Sequence, residues 1–114
     1  MIFFLSLAFK MGECQPHNWW LQNKATLVHS SIEFEELLAG SLKDKFIFID
    51  FYMQYCKWCY FILDDFNKLI SDMELWYGTD KVAFLKIDGQ IVWEVASKYS
   101  VQYFPHFTAI APDT

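Results

Sequence analysis

Two cysteines, Cys56 and Cys59, are separated by Lys57 and Trp58, and this Cys-x-x-Cys spacing suits reversible disulfide chemistry. The pair follows the apolar run 46–52 and precedes a strongly helical pattern, which places it at the start of a helix after a buried strand. One helical turn brings the sulfurs within bonding distance, and the free N–H groups and dipole of a helix N-terminus stabilise a thiolate. We therefore expect Cys56 at the exposed end of the helix and Cys59 one turn in, facing the core.

The same spacing also forms half of a zinc site, and it can occur as two inert core thiols. Zinc needs four ligands, and the remaining candidates, Cys14, His17, His29 and His106, stand singly along the chain. The sequence therefore favours a redox pair over a metal site. We expect no metal and no organic cofactor, because the two cysteines can carry the electrons themselves.

Composition narrows the class of protein. The chain has 114 residues, enough for one domain, and its three cysteines are too few for a disulfide scaffold. A net charge of −5, with nine Lys and no Arg among the basic residues, argues against a nucleic-acid partner held by phosphate contacts. An aromatic share of 20% indicates either a dense core or apolar surface that meets a protein partner.

Residues 1–24 are predicted to form a leader before the domain at 25–114. Its apolar stretch 2–9 is too short to span a membrane. It could be the core of a secretory signal peptide, or a retained segment that packs on a neighbour or contacts a membrane. The adjacent Trp19 and Trp20 more often bury against a domain than seat at a membrane interface. The compartment stays open between the endoplasmic reticulum or secretory lumen and the mitochondrion.

The domain itself alternates strand and helix patterns. Ser30 is predicted to cap the first helix, with Glu33 completing a capping box. The clearest helix carries apolar residues at i, i+3, i+4 and i+7 spacing. The predicted strands are 26–28, 46–52, 82–87 and 107–111. Between them, three predicted helices have their apolar positions at Phe34, Leu37 and Leu38 in the first, at Cys59, Ile62, Leu63, Phe66, Leu69, Ile70 and Met73 in the second, and at Ile91, Val95 and Tyr99 in the third. This order, βαβαβαβ, predicts an α/β layer fold.

The arrangement resembles the thioredoxin superfamily, and more closely its protein disulfide isomerase domains than the small reductases. The strand ending Asp50-Phe51-Tyr52, followed by Cys56-x-x-Cys59, looks like the family's active-site segment. Residues 99–105 resemble its approach to a cis-proline. The resemblance implies a thioredoxin-like fold, a central mixed β-sheet flanked by helices. Set against the family pattern, we expect an N-terminal extension and a C-terminal truncation that omits the last strand and helix.

The resemblance also implies roles for the central residues. Cys56 is similar to the family's nucleophile and Cys59 to its resolving thiol. Asp50 stands where the family keeps a buried carboxylate that takes a proton from the second cysteine. A solvated Asp at the strand end is the alternative, but Asp is costly in so apolar a run. Buried, it would have a raised pKa and could act as the acid–base partner.

Further residues are implied to contact the substrate. Pro105 resembles the cis-proline that faces the disulfide and offers backbone hydrogen bonds to a peptide, and Phe104 precedes it. Tyr55 stands where the family usually has Trp. Trp58 could cover the sulfurs, contact a protein or pack on its helix. Lys57 could lower the pKa of the Cys56 thiol or be a solvated lysine at the helix start.

Two functions follow from these observations. The first is a dithiol–disulfide oxidoreductase of the thioredoxin or protein disulfide isomerase type that acts on protein thiols. The alternative is a thioredoxin-like structural subunit of a larger mitochondrial or membrane-associated complex, in which the cysteine pair is idle. In that case a protein partner would cover the exposed sheet edge and the aromatic surface.

Overall fold

The computed structural model describes residues 18–112. The apolar stretch 2–9 and two of the zinc candidates, Cys14 and His17, lie outside the described residues. Within them, no helix is both long and apolar enough to cross a membrane.

A four-stranded mixed sheet forms the centre of the fold, as predicted. Its strands are β1 (Thr26–Val28), β2 (Phe46–Tyr52), β3 (Val82–Asp88) and β4 (His106–Ile110), in the order β1-β3-β2-β4. β3 lies parallel to both β1 and β2, whereas β4 runs antiparallel to β2. Because β2 and β3 run in parallel, their carboxyl ends meet at one edge of the sheet, where β4 begins.

Four helices pack on this sheet: α1 (Ser31–Ala39), α2 (Lys57–Phe61), α3 (Leu63–Tyr77) and α4 (Trp93–Lys98). A single 3-10 turn, Trp19–Leu21, precedes β1. The predicted helix cap is present, since the Ser30 side chain accepts a hydrogen bond from the Glu33 amide. The Glu33 carboxylate in turn accepts a hydrogen bond from the His29 amide.

Three details of the helices differ from the prediction. The clearest helix is two helices, because ψ at Ile62 is −1° and the chain tightens there before α3 begins. Leu69 is 44% exposed, so the apolar stripe of α3 is wider than the surface that the described strands cover. Ile91 lies outside α4 and is exposed, because Val92 occupies the buried position next to the helix start.

Side chains alternate along the strands between two unlike faces. The face under α1 and α4 is a single apolar cluster; its buried members are Val28, Phe34, Leu42, Ile47, Ile49, Phe51, Leu85, Ile87, Val92, Val95 and Ala96. The face under α3 holds two smaller clusters. One surrounds the cysteine pair, and the other packs Phe66 and Ile70 against Val82 and Phe84.

Candidate active site

The cysteine pair lies where the pattern predicted, at the start of a helix that follows a central strand. Cys56 is the N-cap of α2, and the two cysteines form a disulfide with their Cα atoms 5.2 Å apart. The Cys59 amide donates a hydrogen bond of 3.1 Å to Cys56 Sγ. This bond points an unpaired helix N–H group at the sulfur that attacks in the expected chemistry.

From the sequence we expected Cys56 at the exposed end of the helix, and this prediction is wrong. Only 6% of Cys56 is exposed, and Cys59 is fully buried. Both belong to a cluster with Trp19, Tyr52 and Leu63, against which Met53, Tyr60 and Phe104 also pack. The aromatic side chains around the loop enclose the first cysteine, an effect that spacing along a helix does not reveal.

Asp50 is fully buried on the face of the sheet under α3, so the solvated alternative is wrong. Its Oδ2 accepts a hydrogen bond of 3.0 Å from Lys86 Nζ, which is also fully buried. Parallel pairing sets this contact, because the two residues occupy matching positions on β2 and β3. The other carboxylate oxygen, Oδ1, is buried and accepts no hydrogen bond from the described residues.

Burial raises the pKa of the Asp50 carboxyl, although the charge of Lys86 and its hydrogen bond both lower it. Removal from water is the larger effect, so the neutral form is favoured more than in an ordinary Asp. Burial likewise raises the pKa of Tyr52, and the Asp88 and Asp50 carboxylates raise it further.

Lys86 is the site residue that the sequence analysis missed. A signal was present, because a lysine interrupts the apolar strand β3 just as Asp50 interrupts β2. Two opposite charges in two buried strands predict a pair wherever the strands are neighbours in register.

Three aromatic rings surround the Lys86 ammonium. Its Nζ lies 4.9 Å from the ring centre of Tyr52, 5.2 Å from that of Trp19 and 5.8 Å from that of Phe66. We call these three rings the aromatic cage. Because each ring face is electron-rich, the cage stabilises the charged lysine without taking its proton.

The peptide bond between Phe104 and Pro105 is cis, and it stands immediately before β4. His106 pairs with Phe51, so Pro105 lies beside the carboxyl end of β2, at the same edge as the cysteine pair. Phe104 packs against the cysteine cluster. A Cβ on Gly89 would clash with the Phe104 ring, so a side chain there would force that ring to shift.

The remaining predicted contact residues form an exposed aromatic rim. Tyr55 is 90% exposed and Trp58 is 66% exposed. Trp58 packs edge-to-face on Phe61, with ring centres 5.7 Å apart. The exposed Lys57 extends over the same Phe61 ring, 5.6 Å from its centre. Among the residues described, no three His, Cys, Asp or Glu side chains cluster in a way that could hold a metal ion.

Comparison with known proteins agrees with this geometry. The family model for thioredoxin matches residues 25–113. Thioredoxin Y1, a chloroplastic protein of Arabidopsis thaliana, is 31% identical over 74 residues, which cover 65% of this chain and 39% of that protein. The chain thus spans well under half the length of this curated relative.

Solved structures of thioredoxins are also similar. Thioredoxin from Fasciola hepatica superposes with a TM-score of 0.64 at 28% identity, over 75% of this chain and 76% of the other. The thioredoxin NaTrxh from Nicotiana alata gives a TM-score of 0.64 at 27% identity, over 88% of this chain and 77% of the other. With a family model that covers most of its length, the chain belongs to the thioredoxin family.

Proposed function

We propose that the protein is a dithiol–disulfide oxidoreductase that acts on the thiols and disulfides of other proteins. The observation that carries this proposal is the Cys56–Cys59 disulfide at the start of α2, with the Cys59 amide directed at Cys56 Sγ. In the reduced protein, the same N–H group and the helix dipole would stabilise a thiolate on Cys56.

The reaction then proceeds in two exchanges. The Cys56 thiolate attacks a substrate disulfide, so a mixed disulfide forms while one substrate sulfur leaves as a thiolate and takes up a proton. The Cys59 thiol loses its proton and attacks Cys56 Sγ, which releases the second substrate sulfur. Two electrons pass to the substrate with two protons, one from Cys59 and one from solvent because Cys56 enters as a thiolate, and the protein is left as the disulfide. A dithiol reductant restores the cysteine pair, and each step also runs in reverse.

Asp50 is the proposed proton acceptor for Cys59. Three features support this role: the carboxyl is fully buried on the α3 face, its Oδ1 accepts no hydrogen bond within residues 18–112, and burial raises its pKa. A base whose pKa has moved toward neutrality exchanges protons more effectively near neutral pH than an ordinary carboxylate does.

The substrate is proposed to lie across the rim of the site. Pro105, with a cis bond beside the end of β2, would offer its backbone to an extended peptide, while Phe104, Tyr55 and Trp58 would contact side chains. Lys57 is the basic residue between the two cysteines, and its charge would favour the Cys56 thiolate. A secretory lumen or a mitochondrion would set the direction of electron flow through its own redox poise.

A second candidate is a structural subunit in which the disulfide is static. It is favoured by apolar surface away from the cysteines, where a groove of about 720 Å³ is lined by Phe46, Phe48, Met73, Trp76 and Val82, among others. A protein partner would cover this groove and the outer edge of β4.

Measuring the redox couple separates the two candidates. The purified protein is equilibrated in glutathione buffers, trapped by thiol alkylation and weighed by mass spectrometry. A working oxidoreductase gives a reversible couple between about −120 and −270 mV. A pair that stays oxidised far below that range would reject the enzyme.

Activity provides the matching test. Reduction of protein disulfides by a small dithiol should be accelerated by the native chain and by Cys14→Ser, whose substitution spares the pair. Cys56→Ser should reduce the rate to that of the dithiol alone, whereas Cys59→Ser should accumulate mixed disulfides.

A further inference from the structure

Trp19 precedes the region that matches the thioredoxin family, which begins at residue 25, yet it is among the most buried side chains of the protein. Only 1% of it is exposed. Hydrogen bonds hold the following residues on α3, since Asn67 Oδ1 accepts from the Lys24 amide at 3.0 Å and Lys24 Nζ bonds Ser71 Oγ at 2.6 Å. The segment from Asn18 to Lys24 is therefore part of the folded domain.

The Trp19 ring contacts the loop that carries the first cysteine. Its Nε1–H donates a hydrogen bond of 2.9 Å to the carbonyl oxygen of Gln54, two residues before Cys56. It also packs edge-to-face on Tyr52 and Tyr60, with ring centres 5.9 and 5.8 Å away. These contacts fix the orientation of the indole at the boundary between the cysteine cluster and the buried ion pair.

The same ring is one of the three walls of the aromatic cage. Lys86 Nζ lies 5.2 Å from the Trp19 ring centre and 3.0 Å from Asp50 Oδ2. The other walls come from β2 (Tyr52) and α3 (Phe66). All three walls stand around a fully buried pair, and one of them comes from outside the region that matches the family model.

We propose that Trp19 is a positioning residue of the redox site, which keeps water from the Asp50–Lys86 pair and so sets the environment in which Asp50 exchanges its proton. It does not touch the reacting atoms in this role but acts through Lys86 and the cage. The catalytic meaning of this inference rests on the proposed function, whereas the structural claim about Asp50 can be tested without activity.

Within residues 18–112, few charged and titratable groups lie around Asp50. Lys86 faces it from β3, and Asp88 lies at the end of the same strand, near Tyr52 on β2. Cys56 and Cys59, at the start of α2, are joined in the disulfide, and α3 contributes the uncharged Phe66 ring. Removing Trp19 would admit water to a carboxyl whose pKa is raised mainly by burial, so that pKa should fall toward its ordinary value.

The test is a direct titration of the Asp50 carboxyl by carbon-13 NMR on the full chain with the disulfide intact. We expect Trp19→Leu to lower the midpoint by about one pH unit, the size of shift that one change of environment commonly produces. Trp19→Phe keeps an aromatic ring but loses the bond to Gln54, and should shift the midpoint less in the same direction. If Trp19→Leu does not fold, Trp19→Phe decides.

Two further variants make the result specific. Phe66→Leu removes another wall of the cage from a different element, so it should also lower the midpoint. Trp20→Leu loosens the same segment, because Trp20 packs on Trp19 with ring centres 6.1 Å apart, but its ring is not one of the three around Lys86. It should leave the midpoint unchanged.

One result of these titrations would contradict the role proposed for Trp19. If both Trp19 variants lose thermal stability while the Asp50 midpoint stays at the native value, Trp19 is only a packing residue and the inference is wrong. The pH profile of disulfide exchange should move with the midpoint. A native chain that shows no exchange would reject the proposed function instead, while the carboxyl titration would still decide the role of Trp19.

Discussion

The two faces of the sheet are built from different kinds of contact. The face under α1 and α4 is apolar throughout, and its helices join eleven buried residues into one cluster. The face under α3 is divided, with the Asp50–Lys86 pair lying among aromatic rings and the cysteines at one end. One face is thus organised for stability. The other carries the cost of a buried charge pair beside the cysteines.

The two faces should differ most in the unfolding free energy that is lost when one aromatic ring is removed from each. Phe34 is fully buried beneath α1 and packs edge-to-face on Tyr99, so Phe34→Ala should lower the free energy of unfolding by about 3–5 kcal/mol. Phe107, on the α3 face, is 52% exposed and packs on Phe66. Phe107→Ala should cost about 1 kcal/mol, since much of its surface already meets water. Urea unfolding at neutral pH compares the two, and equal losses would contradict the contrast.

The second prediction makes the α3 face resemble the other one. Lys86→Met leaves the Asp50 carboxylate buried without its partner and should cost about 3 kcal/mol of unfolding free energy. The pKa of Asp50 should rise further, because Lys86 lowers it through its charge and its hydrogen bond. Combining Lys86→Met with Asp50→Leu replaces the pair by apolar side chains and should restore stability to within about 1 kcal/mol of the native value.

The double variant is the control for the single one. If it remains as unstable as Lys86→Met alone, then lost packing around the methylene chain, not an unpaired charge, explains the cost. The same double variant lacks the proposed proton acceptor for Cys59, so its disulfide exchange should lose the pH dependence that Asp50 provides. This loss would show that the charge pair serves proton transfer and not stability.

Local patterns were sufficient to predict most of the fold. The strands follow from short apolar runs and the first helix from its Ser30 cap, because these signals act over a few residues. The Cys-x-x-Cys spacing likewise indicated the disulfide. The family resemblance added the cis bond at Pro105, which no local pattern requires.

What the sequence did not reveal depends on distant contacts. Lys86 meets Asp50 only because β2 and β3 are neighbours in register, although the two residues are 36 positions apart along the chain. Cys56 is buried in a cluster with rings from separate elements, including Trp19 from the segment before β1. Ile91 was wrongly assigned to α4, which begins at Trp93, because Ile91 and Val92 are equally apolar and only the packed core distinguishes them.

The smallest expected effect is a pH dependence that belongs to the α3 face alone. Burial raises the pKa of Asp50 in the folded chain, so between its ordinary value near 4 and that raised value the folded protein holds one more proton than the unfolded one. Stability from this group is therefore full below the ordinary pKa and is lost as pH rises through the folded pKa.

Comparison with Asp50→Asn isolates this term, because all other ionisable groups are common to both proteins. With the disulfide intact and below about pH 9, where Tyr52 stays protonated, the native chain should lose stability relative to Asp50→Asn as pH rises. The difference should change by about 1.4 kcal/mol for each unit by which the pKa is raised. Parallel stability–pH curves would mean that Lys86 just balances burial at Asp50. A native chain that gains stability on the variant with rising pH would mean that Lys86 outweighs burial. The charge pair would then stabilise the α3 face instead of straining it.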